Sequence, residues 1–303
     1  MRNVKITDMT LRQCANSTEA ALSFKEKLEI ARQLERLCVD VIELPEIINE
    51  KTDILFVRTL ASFVKKSVVS VAAGSTFDSI EKAAQALSKT ARKSIRIELP
   101  VSPALMEYNL HKKAQKMLKY IEDCIKKARE YCCDVEFCAV DATRAEKDFL
   151  KDAIKAAANA GATTISVCDS ASSMLPDDFA EFAEKISKKA DVPVGVKCDD
   201  KNGLATASSI LSARQGVSII KTAVDGECTP LEQFATIHVT QFNAETGELY
   251  FMDAFGNECR VELMPMILKS YIVDSSADDK VKDAIMQAIK MKKLDDSSYT
   301  KDS

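Results

Sequence analysis

The chain has only two histidines in 303 residues, His111 and His238, and no pair of cysteines in a C-x-x-C spacing. Its ten cysteines stand singly, at 14, 38, 124, 138, 168, 198, 228 and 259, apart from the adjacent Cys132 and Cys133. That pattern argues against a zinc framework or a disulfide scaffold and fits reduced thiols, several of them inside apolar runs. No stretch approaches the roughly 18 apolar residues of a membrane span. The first ten residues lack the roughly 7–15-residue apolar core of a secretory signal. The expectation is a cytoplasmic protein with no membrane partner. Acids and bases are interleaved around a net charge of −4, with no basic block to neutralise phosphates, so nucleic acid is not an expected partner either. A glycine-rich phosphate loop after an early strand is also missing.

What is present is a rhythm. Short β-branched runs at Val4–Thr7, Val39–Leu44, Val68–Ala72, Ile95–Leu99, Val135–Ala139, Thr163–Cys168, Val192–Cys198 and Val217–Thr222 alternate with amphipathic stretches. The stretches are Phe24–Leu37, Ile54–Val64, Ile80–Leu87, Lys112–Tyr131, Glu146–Ala160, Pro176–Ser187 and Leu204–Arg214. In the first of them, Leu28, Ala31, Leu34 and Leu37 recur at helical spacing. Ser23 with Glu26 forms a capping box, Pro176 suits a helix start, and Gly161 and Gly216 suit helix ends. Eight strands alternating with helices predict a parallel (β/α)8 barrel, a TIM barrel, over residues 1–236; an open doubly wound sheet is the rival. Residues 237–303 are expected as an appendage. It would comprise a β-meander (Val239–Phe242, Glu248–Asp253, Glu258–Leu263), a helix (Ala277–Met291) and a frayed tail (Asp295–Ser303), serving a dimer contact or covering the barrel's end.

Barrel enzymes place their chemistry at the C-terminal strand ends. Here those ends carry Asp8 and Arg12, then Glu43, then Asp141 and Arg144. The later ends carry Asp169 and Ser170, then Lys197, Asp199 and Asp200, and finally Lys221. Polar strand ends are also ordinary, because loops are solvated.

Particular motifs tip that balance. Asp8-Met9-Thr10-Leu11-Arg12 resembles the Asp-Thr-Thr-Leu-Arg-Asp opening of the isopropylmalate synthase and homocitrate synthase family, which includes HMG-CoA lyase-like enzymes. Glu26–Ala31 with Val39–Glu43, Val135-Glu136-Phe137 with Asp141-Ala142-Thr143-Arg144, and Gly161–Asp169 are similar to its later segments, in order, across about residues 4–232. The resemblance implies Claisen or aldol chemistry on a 2-oxo acid held by a divalent metal, acyl transfer from an acyl-CoA being the commonest use. It carries the metal aspartate to Asp8, the oxyanion-stabilising arginine to Arg12, and the carboxylate-binding threonine to Ser170. The two histidines of the family's His-x-His metal motif fall on Lys197 and Asp199. Other positions also depart: Gln13 follows Arg12 where an acid is expected, Val140 replaces a glutamate, Leu105 stands where many relatives have histidine, and the glycine-rich loop after the eighth strand is reduced to Asp225–Pro230. The long C-terminal extension of isopropylmalate synthases has no room here, so leucine-type control is not expected; a homo-oligomer is.

Three arrangements of the altered mouth follow. Lys197 could replace the metal's charge, pairing with Asp8 and leaving a metal-free carboxylate site. Lys197 or Lys221 could be a Schiff-base nucleophile, which nearby acids disfavour by holding the amine protonated. Asp8 and Asp199, with Asp200 as a further candidate, could still hold Mg²⁺ or Mn²⁺ through oxygen ligands and water. The expected cofactor is none, with that metal as the exception. Arg12 and Lys197 are the candidate catalytic residues. Asp8, Glu43, Asp141, Arg144, Asp169, Ser170 and Lys221 are the candidate binders of a small carboxylate or 2-oxo acid. The functional expectation is carbon–carbon bond chemistry on that ligand; the alternative is a silent barrel that binds a metabolite or a protein.

Overall fold

The computed structural model describes residues 4–13, 22–224, 238–243, 248–252 and 258–262. Strands β1 (Lys5–Asp8), β2 (Val41–Leu44), β3 (Val68–Ala73), β4 (Lys93–Pro100), β5 (Val135–Val140), β6 (Thr164–Asp169), β7 (Val194–Cys198) and β8 (Ile219–Thr222) close a barrel in sequence order. Every pairing is parallel, and closure sets Lys5 opposite Ile219 and Asp8 opposite Thr222. Parallel neighbours require crossovers. Helices α1 (Thr10–Gln13), α2 (Phe24–Arg36), α3 (Glu50–Phe63), α4 (Phe77–Ala86), α5 (Pro103–Leu110), α6 (Ala114–Arg129), α7 (Lys147–Ala160), α8 (Pro176–Ser187) and α9 (Ala205–Arg214) lie along them. The fold is a (β/α)8 TIM barrel.

Local chemistry sets the helix ends. Ser23 N–H donates to Glu26 Oε2 (2.7 Å) and Glu26 N–H to Ser23 Oγ (3.3 Å), which closes the predicted capping box of α2. Leu28, Ala31 and Leu34 are the buried stripe of that helix. Gly161 ends α7 at φ +105°, where a side chain would be strained and would meet Arg129. The single stretch expected over Lys112–Tyr131 is preceded by a separate helix, α5. His111 caps α5 in the left-handed region (φ 49°), which turns the chain before α6 begins.

The strand pleat divides the barrel into two environments. Outward positions such as Ile42, Val69, Ile97, Phe137, Val167 and Val196 are buried and apolar, facing the helices. The inward face is polar. Lys221 on β8 contacts Glu43 on β2 and Glu136 on β5, strands that are not its neighbours, so these contacts cross the lumen.

Gly195 makes room within that lumen. A Cβ there would lie 2.7 Å from Ser166 Oγ and 3.2 Å from Ile219 Cβ. Gly195→Ala is therefore expected to destabilise the barrel by about 1–3 kcal/mol, the usual cost of overpacking, read as a lower melting temperature.

The chain divides into two units, Met1–Glu35 with Val39–Leu231, and Arg36–Cys38 with Glu232–Ser303. In the second, β9 (His238–Asn243), β10 (Glu248–Met252) and β11 (Glu258–Glu262) form an antiparallel sheet in the order β11-β10-β9. The expected helix Ala277–Met291 and tail Asp295–Ser303 lie outside the described residues. Among the described residues, no helix is long and apolar enough to cross a membrane.

Candidate active site

The barrel floor is an ion network. Glu43, fully buried, meets Arg12 Nη1 (3.3 Å), Arg96 Nη1 (3.4 Å) and Lys221 Nζ (2.5 Å). Glu98 takes Arg12 Nη2 (2.9 Å) and Arg96 Nε (2.6 Å), and Glu136 takes Lys221 (2.6 Å). Arg96 also donates to Ser70 Oγ and to the Leu44 carbonyl, both at 3.1 Å. Three cations thus face three carboxylates, so the floor is neutral without a ligand. Glu43 and Lys221, expected to bind substrate, are walled in beneath the mouth, where their charge is spent on one another.

The protonation states follow from that packing. Burial pushes the Glu98 carboxyl up, but Arg96, Arg12 and Lys221 outweigh it and hold it down at about 2. Glu43 is lowered in the same way: burial opposes, and Arg96, Lys221 and Arg12 prevail. A carboxylate whose folded pKa is depressed contributes stability above its unfolded value and loses it as pH falls towards the folded one. The barrel is therefore expected to lose stability steadily from about pH 4.5 to about pH 2. A Glu98→Gln variant, already without that contribution, should show a shallower loss in acid denaturation.

Above the floor, the mouth presents Arg12 (19% exposed side chain), Lys197 (15%) and Asp199 (18%). Lys197 Nζ lies 2.5 Å from Asp199 Oδ1. The strand period of two puts both residues on the inner face of β7 and its end, as expected, but the acid that Lys197 meets is Asp199 rather than Asp8. Burial would lower the Lys197 pKa, but Cys168 and Asp199 outweigh it and raise it, while Arg12 acts against them as a like charge. For Lys221 burial is likewise outweighed, by Glu136 and Glu43, and the amine is held protonated. Neither lysine is a ready nucleophile. Borohydride reduction in the presence of pyruvate is expected to leave both unmodified, as peptide mass mapping would report.

Asp8, expected as a ligand-binding residue, sits at the end of β1. It is fully buried; its Oδ1 accepts from Thr10 N–H and its Oδ2 from Thr10 Oγ1, both at 3.0 Å. Thr10 Oγ1 in turn accepts from Val224 N–H (3.0 Å). The carboxylate thus shapes the turn into α1 and ties the ends of β1 and β8 together.

Loops after β5, β6 and β7 are laced into a rim. Asp141, at φ 62°, holds Arg144 through two contacts of 2.7 Å, and its N–H donates to Ser170 Oγ (3.3 Å). Asp169 accepts from Thr143 Oγ1 (2.8 Å), Ser173 N–H (3.0 Å) and Met174 N–H (3.3 Å). Ser172 Oγ donates to the Asp199 carbonyl (2.5 Å), and Asp200 Oδ1 accepts from Ala205 N–H (2.8 Å) at the start of α9. The structure therefore brings Asp141, Arg144, Asp169 and Ser170, all expected as binders, into one cluster at the rim.

Comparison with known proteins places this architecture. Residues 3–240 match the HMGL-like family. The chain belongs to the HMGL-like family. Relatives include the 2-isopropylmalate synthases of Pyrococcus abyssi (34% identical, 75% of this chain and 47% of the relative) and Aquifex aeolicus (35%, 74% and 44%). This chain spans a little under half the length of these curated relatives. The HMG-CoA lyase of Brucella melitensis shares the fold, with a TM-score of 0.63 at 14% identity over 96% of this chain and all of the other.

The divalent metal implied by the HMGL-like resemblance does not fit this mouth. At the two histidine positions stand an ammonium, which offers a cation no lone pair, and a carboxylate already engaged by that ammonium. Asp8, the third expected ligand, has both oxygens on Thr10. Among the described residues, no group of three or more metal-ligating side chains gathers elsewhere.

Three residues of the site escaped the strand-end reading: Arg96, Glu98 and Glu136. Their signal was available. Ser94-Ile95-Arg96-Ile97-Glu98 alternates polar and apolar with period two, so on a barrel strand the charges had to face the lumen.

Proposed function

We propose that this HMGL-like barrel binds a small 2-oxo acid at Arg12 and Lys197 and makes or breaks a carbon–carbon bond beside the acid's carboxylate. The Lys197 ammonium carries the positive charge that the family resemblance assigns to a divalent ion. One observation carries the reading: Arg12 and Lys197 are two partly exposed cations at one mouth, and the Arg12 charge acts on the Lys197 ammonium. Like charges held together favour an anion between them. A ligand carboxylate would take up both, and an oxyanion forming on the adjacent carbonyl would remain within reach of the same donors. Membership of a family that includes 2-isopropylmalate synthases supports a synthase- or lyase-type reaction.

A second reading, binding without turnover, is favoured by the resting pairs. Lys197 is engaged by Asp199 and Arg12 by Glu98, so each mouth cation is neutralised before any ligand arrives. Incubation with acetyl-CoA and a panel of 2-oxo acids, with thiol release followed alongside thermal shift, separates the two. Stabilisation with thiol release supports the synthase-type reading. Stabilisation by an oxo acid without loss of that acid, whether alone or with acetyl-CoA, supports the silent barrel. An absence of stabilisation across the panel contradicts both.

A further inference from the structure

Cys138 on β5 and Cys168 on β6 are both buried, 1% and 2% exposed, with their sulfurs 3.4 Å apart. Cys168 lies opposite Lys197 in the β6–β7 register, and Cys138 lies opposite Glu98 in the β4–β5 register. The two thiols therefore sit at the junction of floor and mouth. Arg12 interacts electrostatically with both sulfurs, Lys197 with Cys168 and Lys221 with Cys138. Contact with Cys168 and burial push the Cys138 thiol well up, with Lys221 acting against them, which makes Cys138 the resolving thiol and Cys168, beside Arg12 and Lys197, the one that attacks first.

We propose that Cys138 and Cys168 form an oxidisable thiol pair, closed to an intramolecular disulfide by a peroxide-class oxidant small enough to enter the mouth. One thiolate sulfur attacks a peroxide oxygen; an S–O bond forms, the O–O bond breaks, and the expelled hydroxide leaves as water with that thiol's proton. The second sulfur attacks the resulting sulfenic acid; the S–S bond forms, the S–O bond breaks, and a second water leaves with the second proton. The two thiols lose two electrons and hydrogen peroxide gains them. Cys138 stands opposite Ser166 in the β5–β6 register, so Cys168 is its diagonal neighbour, and closing the bond asks the sulfurs to approach by about 1.4 Å with a local adjustment of the two strands. The inference stands independently of whether the mouth turns over an oxo acid.

The test treats the folded chain with graded hydrogen peroxide, blocks remaining thiols by alkylation after unfolding, and maps the peptides by mass. The expected product is a peptide pair linked through Cys138 and Cys168, two hydrogens lighter than the separate peptides. It should disappear with dithiothreitol and be absent from Cys138→Ala, whose thermal melt serves as the folding control. A bulky aromatic disulfide should label the exposed Cys133 in the folded chain while sparing the pair. Both cysteines remaining alkylatable at doses that have oxidised Cys133 would overturn the proposal. So would finding either one linked chiefly to another cysteine, or carried on to sulfinic acid without a link.

Discussion

Arg96→Leu is expected to lower the melting temperature by roughly 6–20 °C. The figure follows from a cost of about 3–5 kcal/mol for breaking a buried ion network on one side, at about 2–4 °C per kcal/mol for a domain of this size. Arg96 is fully buried and serves two carboxylates, Glu43 and Glu98, along with Ser70 Oγ and the Leu44 carbonyl. Leucine matches some of its volume but leaves those acceptors in a low-dielectric lumen, with only Arg12 and Lys221 to face the three carboxylates. Adding Glu98→Gln to Arg96→Leu should recover part of the loss, because the uncompensated charge is what costs most. A change below about 1 kcal/mol would mean that water reaches the lumen and screens the network.

The second large effect concerns the mouth. Lys197→Ala is expected to weaken oxo-acid binding about 10- to 100-fold, the worth of one hydrogen bond to a charged group at about 1.5–3 kcal/mol. Asp199→Asn should act in the opposite direction. It removes the acid that neutralises Lys197 at rest, so a ligand carboxylate no longer competes with an internal one. Titration calorimetry on both variants reads the two signs. Weaker binding in Asp199→Asn would make Asp199 a direct ligand contact and displace Lys197 from the centre of the account.

The barrel was legible in the sequence because each level of signal agreed. Period-two and helical-period runs alternated, Ser23 and Glu26 marked a helix start, and Gly161 marked an end. The break at His111 was only weakly signalled: histidine is enriched at positive φ but seldom adopts it, and Pro103 after Ser102 was the local mark of a separate helix start. Within the site, Lys197 and Asp199 could be placed by strand parity, whereas Arg12, on α1 beyond the end of β1, was placed by the motif resemblance. The partners could not be placed either way. Lys197 sits two residues from Asp199, a spacing that sets the two on one strand face, yet the motif analogy directed attention to Asp8. The analogy fixed Asp8 in sequence but not its carboxylate's direction, which Thr10 determines. Glu43 and Lys221 stand on strand ends like the mouth residues. Their depth in the lumen depends on barrel closure, which brings β2, β5 and β8 together over long sequence separations.

The central claim, a mouth in which Lys197 does the work of a metal's charge, is tested most directly by calorimetric titration of the chelator-treated chain with small 2-oxo acids. The expected result is binding that chelator leaves unchanged, added Mg²⁺ or Mn²⁺ does not strengthen, and Lys197→Ala weakens about 10- to 100-fold. Binding that needs the divalent ion and survives Lys197→Ala would contradict it.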